Sequence, residues 1–257
     1  MNIFITNDDG IEAIGIQTIA RAMTKFGKVY VVAPDKEYSG MSRSISLKKP
    51  LHAKKHYIED SIEAYSLSGS PTDCVKVGIE GMFSEIKFDL LISGINRGPN
   101  LGSDVFYSGT VSAALEGLYQ NIPSLALSNC SFEDSLRDYE LICDKFSEFL
   151  NGYLDNIGIG EEFILNINFP ENIRKCHEFT LTSLGRRDYD NVILKRELAS
   201  DLHEFTIGGN PRVSNEVSDS DVWMIQQDTI TVTPIYNSLY SHGHFEYLKN
   251  NLFKTIE

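Results

Sequence analysis

The sequence predicts an α/β fold, a mostly parallel sheet flanked by helices, followed by a smaller β-rich extension. Two observations support this prediction. Short apolar runs alternate with segments of helical periodicity through the first part of the chain, which is typical of βαβ units. After about residue 170, runs of β-forming residues replace the helical stripes. No internal repeat or low-complexity linker interrupts the 257 residues, so we expect a single domain with a core at 1–170 and an extension at 171–257.

The N-terminal elements predict one βαβ unit. Residues 1–6 form an apolar run typical of a strand, and an apolar stripe at helical spacing follows it and ends at Gly27. Residues 29–33 predict the next strand, which Pro34 ends. The residues of the stripe are Ile16, Ile19, Ala20, Met23 and Phe26. Strand, helix and strand in this order are the start of a parallel sheet.

The next helix begins near Ser70. Ser70 can cap this helix, Pro71 suits its first position, and Asp73 favours the positive end of the helix dipole. Further core strands are predicted at 88–93 and 124–128, and further helices at 111–118 and 136–150. In the extension, β-forming runs occupy 179–182, 203–207 and 229–233.

The charge balance argues against a polymeric nucleic-acid partner. The chain carries 23 Lys and Arg residues against 36 Asp and Glu residues, a net charge of −13 with His neutral. A strand of phosphates would be repelled by this field unless the contact surface were locally basic. We therefore expect no nucleic-acid polymer among the partners, and we disfavour nucleic-acid cleavage.

Cysteine usage and the N-terminus predict the compartment. The four cysteines are Cys74, Cys130, Cys143 and Cys176. They form no Cys-x-x-Cys pair, which favours small buried hydrophobes in a reducing compartment over ligands or disulfides. Asp8 and Asp9 stand where a signal peptide needs its apolar core, and no run approaches the roughly 18 apolar residues of a membrane helix. We expect a cytoplasmic protein that does not contact a membrane.

The strongest chemical signal is the carboxylate pair at the end of the first predicted strand. Asp8 and Asp9 precede Gly10 at the sheet edge where α/β proteins bind ligands. Two adjacent carboxylates suit a divalent cation that prefers hard oxygen ligands, such as Mg²⁺ or Mn²⁺. An ordinary Asx turn before a glycine is the alternative interpretation.

Two further loops leave predicted strands at the same edge. In residues 33–42, small hydroxyls and Gly40 can complete a metal shell or bind an anion through backbone N–H groups, although a plain surface loop is the alternative. Residues 93–110 end in Ser108, Gly109 and Thr110, at a predicted helix start. Free N–H groups, hydroxyls and the helix dipole there suit a phosphate, although simple helix capping is the alternative. The convergence of all three loops favours a common site.

The sequence lacks the motifs of three common classes of α/β enzyme: dinucleotide-dependent oxidoreductases, P-loop NTPases and α/β-hydrolases. The chain has no G-x-G-x-x-G after the first strand, no Walker loop and no G-x-S-x-G elbow. Four histidines have no fixed metal-ligand spacing: His52, His56, His177 and His203. His242 and His244 are two residues apart, and we favour a turn or a subunit contact over a metal site for this pair.

The loops together strongly resemble the SurE family, stationary-phase survival proteins that are metal-dependent 5'/3'-nucleotidases. The motifs that carry the resemblance lie at 6–10, 32–42, 68–75 and 93–114. A looser match continues at 166–170, 184–189, 207–209 and 230–234. Departures lie mostly in the second half of the chain, where Asp228 stands at an expected glycine.

The resemblance implies the following site. Asp8, Asp9, Ser39 and Asn96 would hold one divalent cation per subunit, Mg²⁺, Mn²⁺ or Co²⁺, with Asp8, Asp9 and Asn96 as the catalytic residues. The residues around the substrate phosphate would be Asn7, Gly40, Ser108, Gly109 and Thr110. The resemblance also implies a Rossmann-like core, a C-terminal β-hairpin exchanged between subunits, and a homodimer or homotetramer.

The expected reaction is hydrolysis of nucleoside 5'- and 3'-monophosphates by a metal-activated water, with the phosphate held at a helix N-terminus. The family is also associated with short-chain polyphosphate. A covalent mechanism would make Asp8 a nucleophile, but such phosphatases use an Asp-x-Asp spacing and these carboxylates are adjacent. A nucleotide or phosphate sensor without turnover is the non-enzymatic alternative. Tyr107 is the aromatic residue nearest to these motifs that could stack on a base, with support of the loop as the alternative interpretation.

Overall fold

The structure is a computed structural model that describes residues 1–154, 162–176, 178–190, 192–212, 217–238 and 241–252. In chain order, the strands in these residues are β1 Asn2–Thr6, β2 Lys28–Pro34, β3 Ala53–His56, β4 Ile62–Leu67, β5 Leu90–Arg97, β6 Ser124–Asn129, β7 Phe163–Phe169, β8 Phe179–Leu181, β9 Tyr189–Asp190, β10 Ile193–Ala199, β11 Leu202–Ile207, β12 Asn210–Pro211 and β13 Ile230–Tyr236. The α-helices are α1 Ile14–Met23, α2 Pro71–Val77, α3 Gly109–Tyr119, α4 Leu136–Leu154, α5 Asp221–Met224 and α6 His242–Asn251.

One large sheet organises the chain. Nine strands follow the order β3-β4-β2-β1-β5-β6-β7-β13-β8. From β4 to β7 every neighbouring pair is parallel, whereas β3 and β13 each pair antiparallel with one neighbour. The predicted mostly parallel, Rossmann-like sheet is therefore confirmed. The chain runs outward from β1 through β2 to β4 on one side and from β5 through β6 to β7 on the other. α/β folds bind ligands in the crevice at such a switch point.

Each face of the sheet carries its own apolar core. In β1, Ile3 and Ile5 pack in the cluster formed with α1 and α4, whereas Phe4 packs in the cluster formed with α2 and α3. This alternation follows from the two-residue period of a strand, and burial on both faces explains why β1 is a continuous apolar run. Helices on both faces leave the carboxyl ends of the central strands open for a site.

The first helix is shorter than predicted. The stripe residues from Ile16 to Met23 are buried as expected, but α1 ends at Met23 and a turn follows, in which Phe26 N–H donates to the Met23 carbonyl. Gly27 is not a helix cap. A Cβ at Gly27 would lie 2.0 Å from the Met1 carbonyl oxygen, so this glycine permits close contact between the chain and β1.

Three strands of the nine-stranded sheet were not among the sequence-based predictions, and neither were β9, β10 and β12 outside it. β3 is an edge strand of exposed and half-buried residues, and β4 alternates buried and half-buried positions. β7 is buried although it contains Asn166 and Asn168, because both side-chain amides donate to the Asn100 carbonyl at 2.8 and 3.0 Å. β5 also continues past its predicted end at Ser93 to Arg97, which brings Asn96 to the sheet edge.

The extension contains the predicted β-rich segments. The runs at 179–182, 203–207 and 229–233 form β8, β11 and β13, and β8 and β13 join the large sheet. β10 and β11 form an antiparallel hairpin in which every residue is exposed. Asp228 adopts a left-handed conformation with φ of 53°, the conformation that favours the glycine of the family pattern.

Two further predictions concern cysteines and membranes. All four cysteines are free, and three of them are buried. Burial raises the pKa of the Cys143 thiol to about 12, as expected for an inert buried side chain. Among the described residues, no helix has the length and apolar character needed to span a membrane.

Candidate active site

Three loops meet at the carboxyl ends of the central strands. The turn after β1 carries the carboxylate pair, the loop after β2 carries Ser39 and Gly40, and the end of β5 carries Asn96. Tyr38 N–H donates to the Asp8 carbonyl at 2.8 Å, which joins the first two loops directly. The structure thus brings together the loops that were predicted separately from the sequence.

Asn7 shapes the turn that presents the carboxylates. Its amide donates to the Gly10 carbonyl at 2.9 Å, and its Oδ1 accepts from Gly10 N–H at 3.2 Å. Gly10 has φ of +99°, a conformation that favours glycine. The Asx-turn interpretation therefore applies to the fully buried Asn7, whereas Asp8 and Asp9 stay available for chemistry. The structure shows Asn7 as a support of the turn, and its expected contact with the phosphate stays a prediction.

Asp8 lies against the start of α3. Thr110 Oγ1 donates to Asp8 Oδ1 at 2.5 Å. A Cβ at Gly109 would lie 2.9 Å from both the Cβ and Oδ2 of Asp8, so glycine is needed for this close approach. Burial raises the pKa of Asp8, and the hydrogen bond from Thr110 opposes that rise. The backbone N–H groups of Asp8 and Thr110 also interact with this carboxyl and lower its pKa.

Asp9 lies on the other side of the pair, against the end of β5. Its Oδ2 accepts the backbone N–H of Arg97 at 2.9 Å. Burial and the neighbouring Asp8 charge raise the pKa of Asp9 to about 7, and the Arg97 N–H opposes the rise. Two adjacent carboxylates with raised pKa values are held in an environment that a cation would stabilise.

The remaining expected metal ligands present neutral oxygens. Asn96 Nδ2 donates to the Gly98 carbonyl at 2.8 Å, so the bond uses the nitrogen of the amide and not its Oδ1. Ser39 Oγ donates to Glu37 Oε1 at 2.6 Å, which turns its lone pairs away from that carboxylate. With one oxygen from each carboxylate, this donor set fits a hard divalent cation.

The start of α3 offers the expected phosphate cradle. Ser108 is the N-cap, and its Oγ accepts from Val111 N–H at 3.1 Å, so the capping interpretation is correct for this side chain. The first turn of α3 contains no acidic residue, so no side chain of the helix neutralises the positive end of its dipole. Gly40 is exposed with φ of +70°, and a Cβ there would meet nothing within 4 Å.

Hydrogen bonds hold the Gly40 loop against this cradle. Ser42 N–H donates to the Tyr107 carbonyl at 3.0 Å, and Ser42 Oγ donates to the Phe106 carbonyl at 2.8 Å. These two bonds fix the backbone of the Gly40 loop.

The predicted helix start at Ser70 is confirmed. Ser70 and Asp73 form a capping box, in which each side chain accepts a hydrogen bond from the backbone N–H of the other residue.

Sequence reasoning missed the charged groups that connect these loops. Arg97 Nη1 donates to Asp134 Oδ2 at 3.1 Å, and its Nη2 lies 3.7 Å from Glu37 Oε2. Asp104 accepts from Arg187 at 2.9 Å and from the Tyr189 hydroxyl, which ties the extension to the loop before α3. Opposite charges in separate loops were the available signal, but the sequence does not show which of them meet.

The histidines that the structure describes do not form a metal cluster. No cluster of three or more His, Cys, Asp or Glu side chains suited to a metal occurs in the described part of the chain. His242 begins α6, so the predicted turn is instead the first turn of a helix, and His244 Nδ1 lies 2.7 Å from Ser241 Oγ. His177 and the side chain of His242 lie outside the described residues.

The fold and the site together define a Rossmann-like α/β protein. At its switch point, the carboxylate, hydroxyl and amide oxygens of three loops lie beside the N–H groups at the start of a helix. The chain matches the family described as Survival protein SurE over residues 3–191. It belongs to this family, as the resemblance of its loops predicted.

Relatives and a solved structure agree along nearly the whole chain. The chain is 42% identical to "5'-nucleotidase SurE" of Thermosipho africanus, over 97% of this chain and 95% of the relative. It is 37% identical to the protein of the same name from Pelotomaculum thermopropionicum, with 100% and 97% covered. It is 36% identical to "5'/3'-nucleotidase SurE" of Wigglesworthia glossinidia brevipalpis, with 99% and 100% covered. The crystal structure of the SurE protein from Aquifex aeolicus superposes with a TM-score of 0.83 at 31% identity, covering 97% of this chain and 99% of that chain.

Proposed function

We propose that this chain is a metal-dependent nucleotidase that hydrolyses nucleoside 5'- and 3'-monophosphates to nucleoside and phosphate. One observation carries the proposal: the carboxylate pair touches the N-terminus of α3 through the hydrogen bond from Thr110 to Asp8. The proposed cation site and the proposed phosphate cradle would therefore adjoin. The nucleotidase names of the full-length relatives support the same substrate class.

The donor set proposed for the cation is Asp8, Asp9, Ser39 and Asn96. The Thr110 hydroxyl donates to Asp8 Oδ1, and the Arg97 amide donates to Asp9 Oδ2. The second oxygen of each is the proposed ligand of one Mg²⁺, Mn²⁺ or Co²⁺ per subunit. Such a cation supplies Lewis acidity toward a phosphate oxygen and toward the attacking water.

The residues of the protein itself bind and orient the phosphate. The N–H groups of Gly109 and Thr110 lie in the first turn of α3, where N–H groups have no intrahelical acceptor. Ser108 Oγ accepts a hydrogen bond from Val111 and keeps its own hydrogen to donate. The Thr110 N–H also interacts with the Asp8 carboxylate, whose pKa it lowers. Together with the Gly40 N–H, these donors are proposed to stabilise negative charge on the phosphate oxygens.

The test is phosphate release from 5'- and 3'-nucleoside monophosphates, measured after chelation and after re-addition of Mg²⁺, Mn²⁺ or Co²⁺. We expect turnover that the metal restores. Short-chain polyphosphate belongs in the same panel. Stoichiometric nucleotide binding without phosphate release would overturn the proposal in favour of a sensor, and turnover indifferent to chelation, with a trapped aspartyl-phosphate, would favour Asp8 as a nucleophile.

We also propose that the protein is a cytoplasmic homodimer or homotetramer in which the β10–β11 hairpin is exchanged between subunits. Large apolar side chains of the hairpin are exposed, including Leu194 at 59%, Phe205 at 58% and Ile207 at 80%. Exposed apolar surface on this scale is typical of an interface. Leu194→Asp is expected to lower the mass measured by light scattering, and an unchanged mass would contradict the role of the hairpin.

The free cysteines support the proposed cytoplasmic location, because a reducing compartment keeps thiols unpaired.

A further inference from the structure

A crevice of about 170 Å³ adjoins the carboxylate pair on the side away from α3. Its walls include Asp9, Arg97, Asp134, Tyr139 and the start of α1 at 13–15. It lies at the carboxyl ends of β1 and β5, where the strand order reverses. A ligand atom held by Asp9 would therefore border this crevice.

We propose that this crevice is the binding subsite for the sugar ring of the substrate, with Arg97 and Asp134 recognising its hydroxyl groups. The inference rests on the proposed nucleotidase function and names the part of the substrate that the crevice takes.

The charges of the crevice favour a neutral, hydroxyl-bearing occupant. The negative charges of Asp9 and Asp134 would repel a phosphate group in the crevice. The positive charge of the Arg97 guanidinium and the positive end of the α1 dipole would repel a cation there. Arg97 N–H groups can donate to a sugar oxygen, and the Asp134 carboxylate can accept from a sugar hydroxyl. The Arg97–Asp134 pair, with its 3.1 Å bond, presents both functions side by side.

Size and position favour the sugar over the base. Pockets that enclose a drug-sized ligand have volumes of about 300–1,000 Å³, so this crevice holds one ring and not a whole nucleoside. The sugar carries the phosphate ester and separates the phosphate from the base, and a crevice that begins at Asp9 borders the proposed phosphate position. Tyr139, which is 1% exposed, and Ile14 supply apolar surface for the carbon face of the ring.

Two substitutions test the subsite in the full-length protein. Ala13→Leu fills the crevice from the N-cap of α1, where the extended backbone accepts any L-residue. Asp134→Ala removes the acceptor from an exposed position, where loss of its ion pair with Arg97 costs little stability. The control is Ala53→Leu, at an exposed position of β3 outside the crevice.

The readout is kcat/KM for three phosphate esters: a nucleoside 5'-monophosphate, ribose 5-phosphate and phenyl phosphate, which has no sugar. For both crevice variants we expect kcat/KM to fall by about tenfold or more for the two sugar phosphates relative to phenyl phosphate, with no change of this ratio in the control. A fall for the nucleotide alone would overturn the assignment in favour of the base, and unchanged ratios would overturn the subsite altogether. If the native protein hydrolyses none of the three esters with any added metal, the proposed function itself fails.

Discussion

Gly109→Ala changes the contact between α3 and the carboxylate pair by a single methyl group. The added Cβ would lie 2.9 Å from the Cβ and Oδ2 of Asp8 and 3.1 Å from Cγ of Pro71. Carbon atoms rest about 3.5–4.0 Å apart, so Asp8 or the start of α3 must move by about 0.6 Å or more. Misplacement by about 1 Å at a reacting centre lowers a rate by about 100-fold. We expect kcat to fall by about 10- to 100-fold and the protein to lose about 1–3 kcal/mol of unfolding free energy through overpacking.

Gly152→Ala is the matched control for this prediction. Gly152 lies in α4, and a Cβ there would meet nothing within 4 Å. Alanine is the better helix former, so the control is expected to gain about 0.5–1 kcal/mol and to keep full activity. The assays are metal-dependent phosphate release and denaturant unfolding. Full activity in Gly109→Ala together with a gain in stability would refute the close packing of α3 on Asp8 as a requirement of the site.

Three further predictions follow from the same contacts. Thr110→Val keeps the side-chain volume but removes the hydroxyl that donates to Asp8. We expect kcat to fall by about tenfold while the circular dichroism spectrum stays unchanged. An unchanged kcat would show that this hydrogen bond does not contribute to catalysis. Asp9 has a folded-state pKa of about 7 against an ordinary 3.8, so its buried charge destabilises the metal-free fold increasingly as pH rises between these values, by up to about 4 kcal/mol. Metal-free Asp9→Asn should therefore melt several degrees above the native protein at pH 8 and close to it at pH 4, whereas equal melting temperatures at pH 8 would contradict the buried charge. Glu37→Gln should weaken Mn²⁺ binding about tenfold in calorimetry, because Glu37 orients the Ser39 hydroxyl, and native affinity would exclude that role.

The sheet was predictable where apolar periodicity alone decides the structure. β1 is buried on both faces, so it reads as an apolar run in the sequence. β7 is also buried, but Asn166 and Asn168 interrupt its run, and only their bonds to the Asn100 carbonyl explain their burial. Those bonds join residues 66 and 68 positions apart, which periodicity within a short window cannot indicate. The end of α1 likewise depended on a distant contact, the approach of Gly27 to Met1.

The site was predictable to the extent that strand ends share one edge. Asp8, Asp9 and Asn96 follow or end neighbouring strands, so topology alone brings their loops together. Arg97 and Asp134 belong to different loops whose contact depends on side-chain conformations in three dimensions. The different neighbours of the two carboxylates, the start of α3 for Asp8 and the crevice for Asp9, also required the structure.

The most direct test of the proposed cation site is a titration of the metal-free protein with Mn²⁺, in which electron paramagnetic resonance measures the free ion at each step. Native protein and the control Asp60→Asn, changed at an exposed carboxylate outside the site, are expected to bind one Mn²⁺ per chain. Asp9→Asn is expected to lose that binding while remaining folded. Full Mn²⁺ binding by Asp9→Asn would contradict the assignment of the cation to the carboxylate pair.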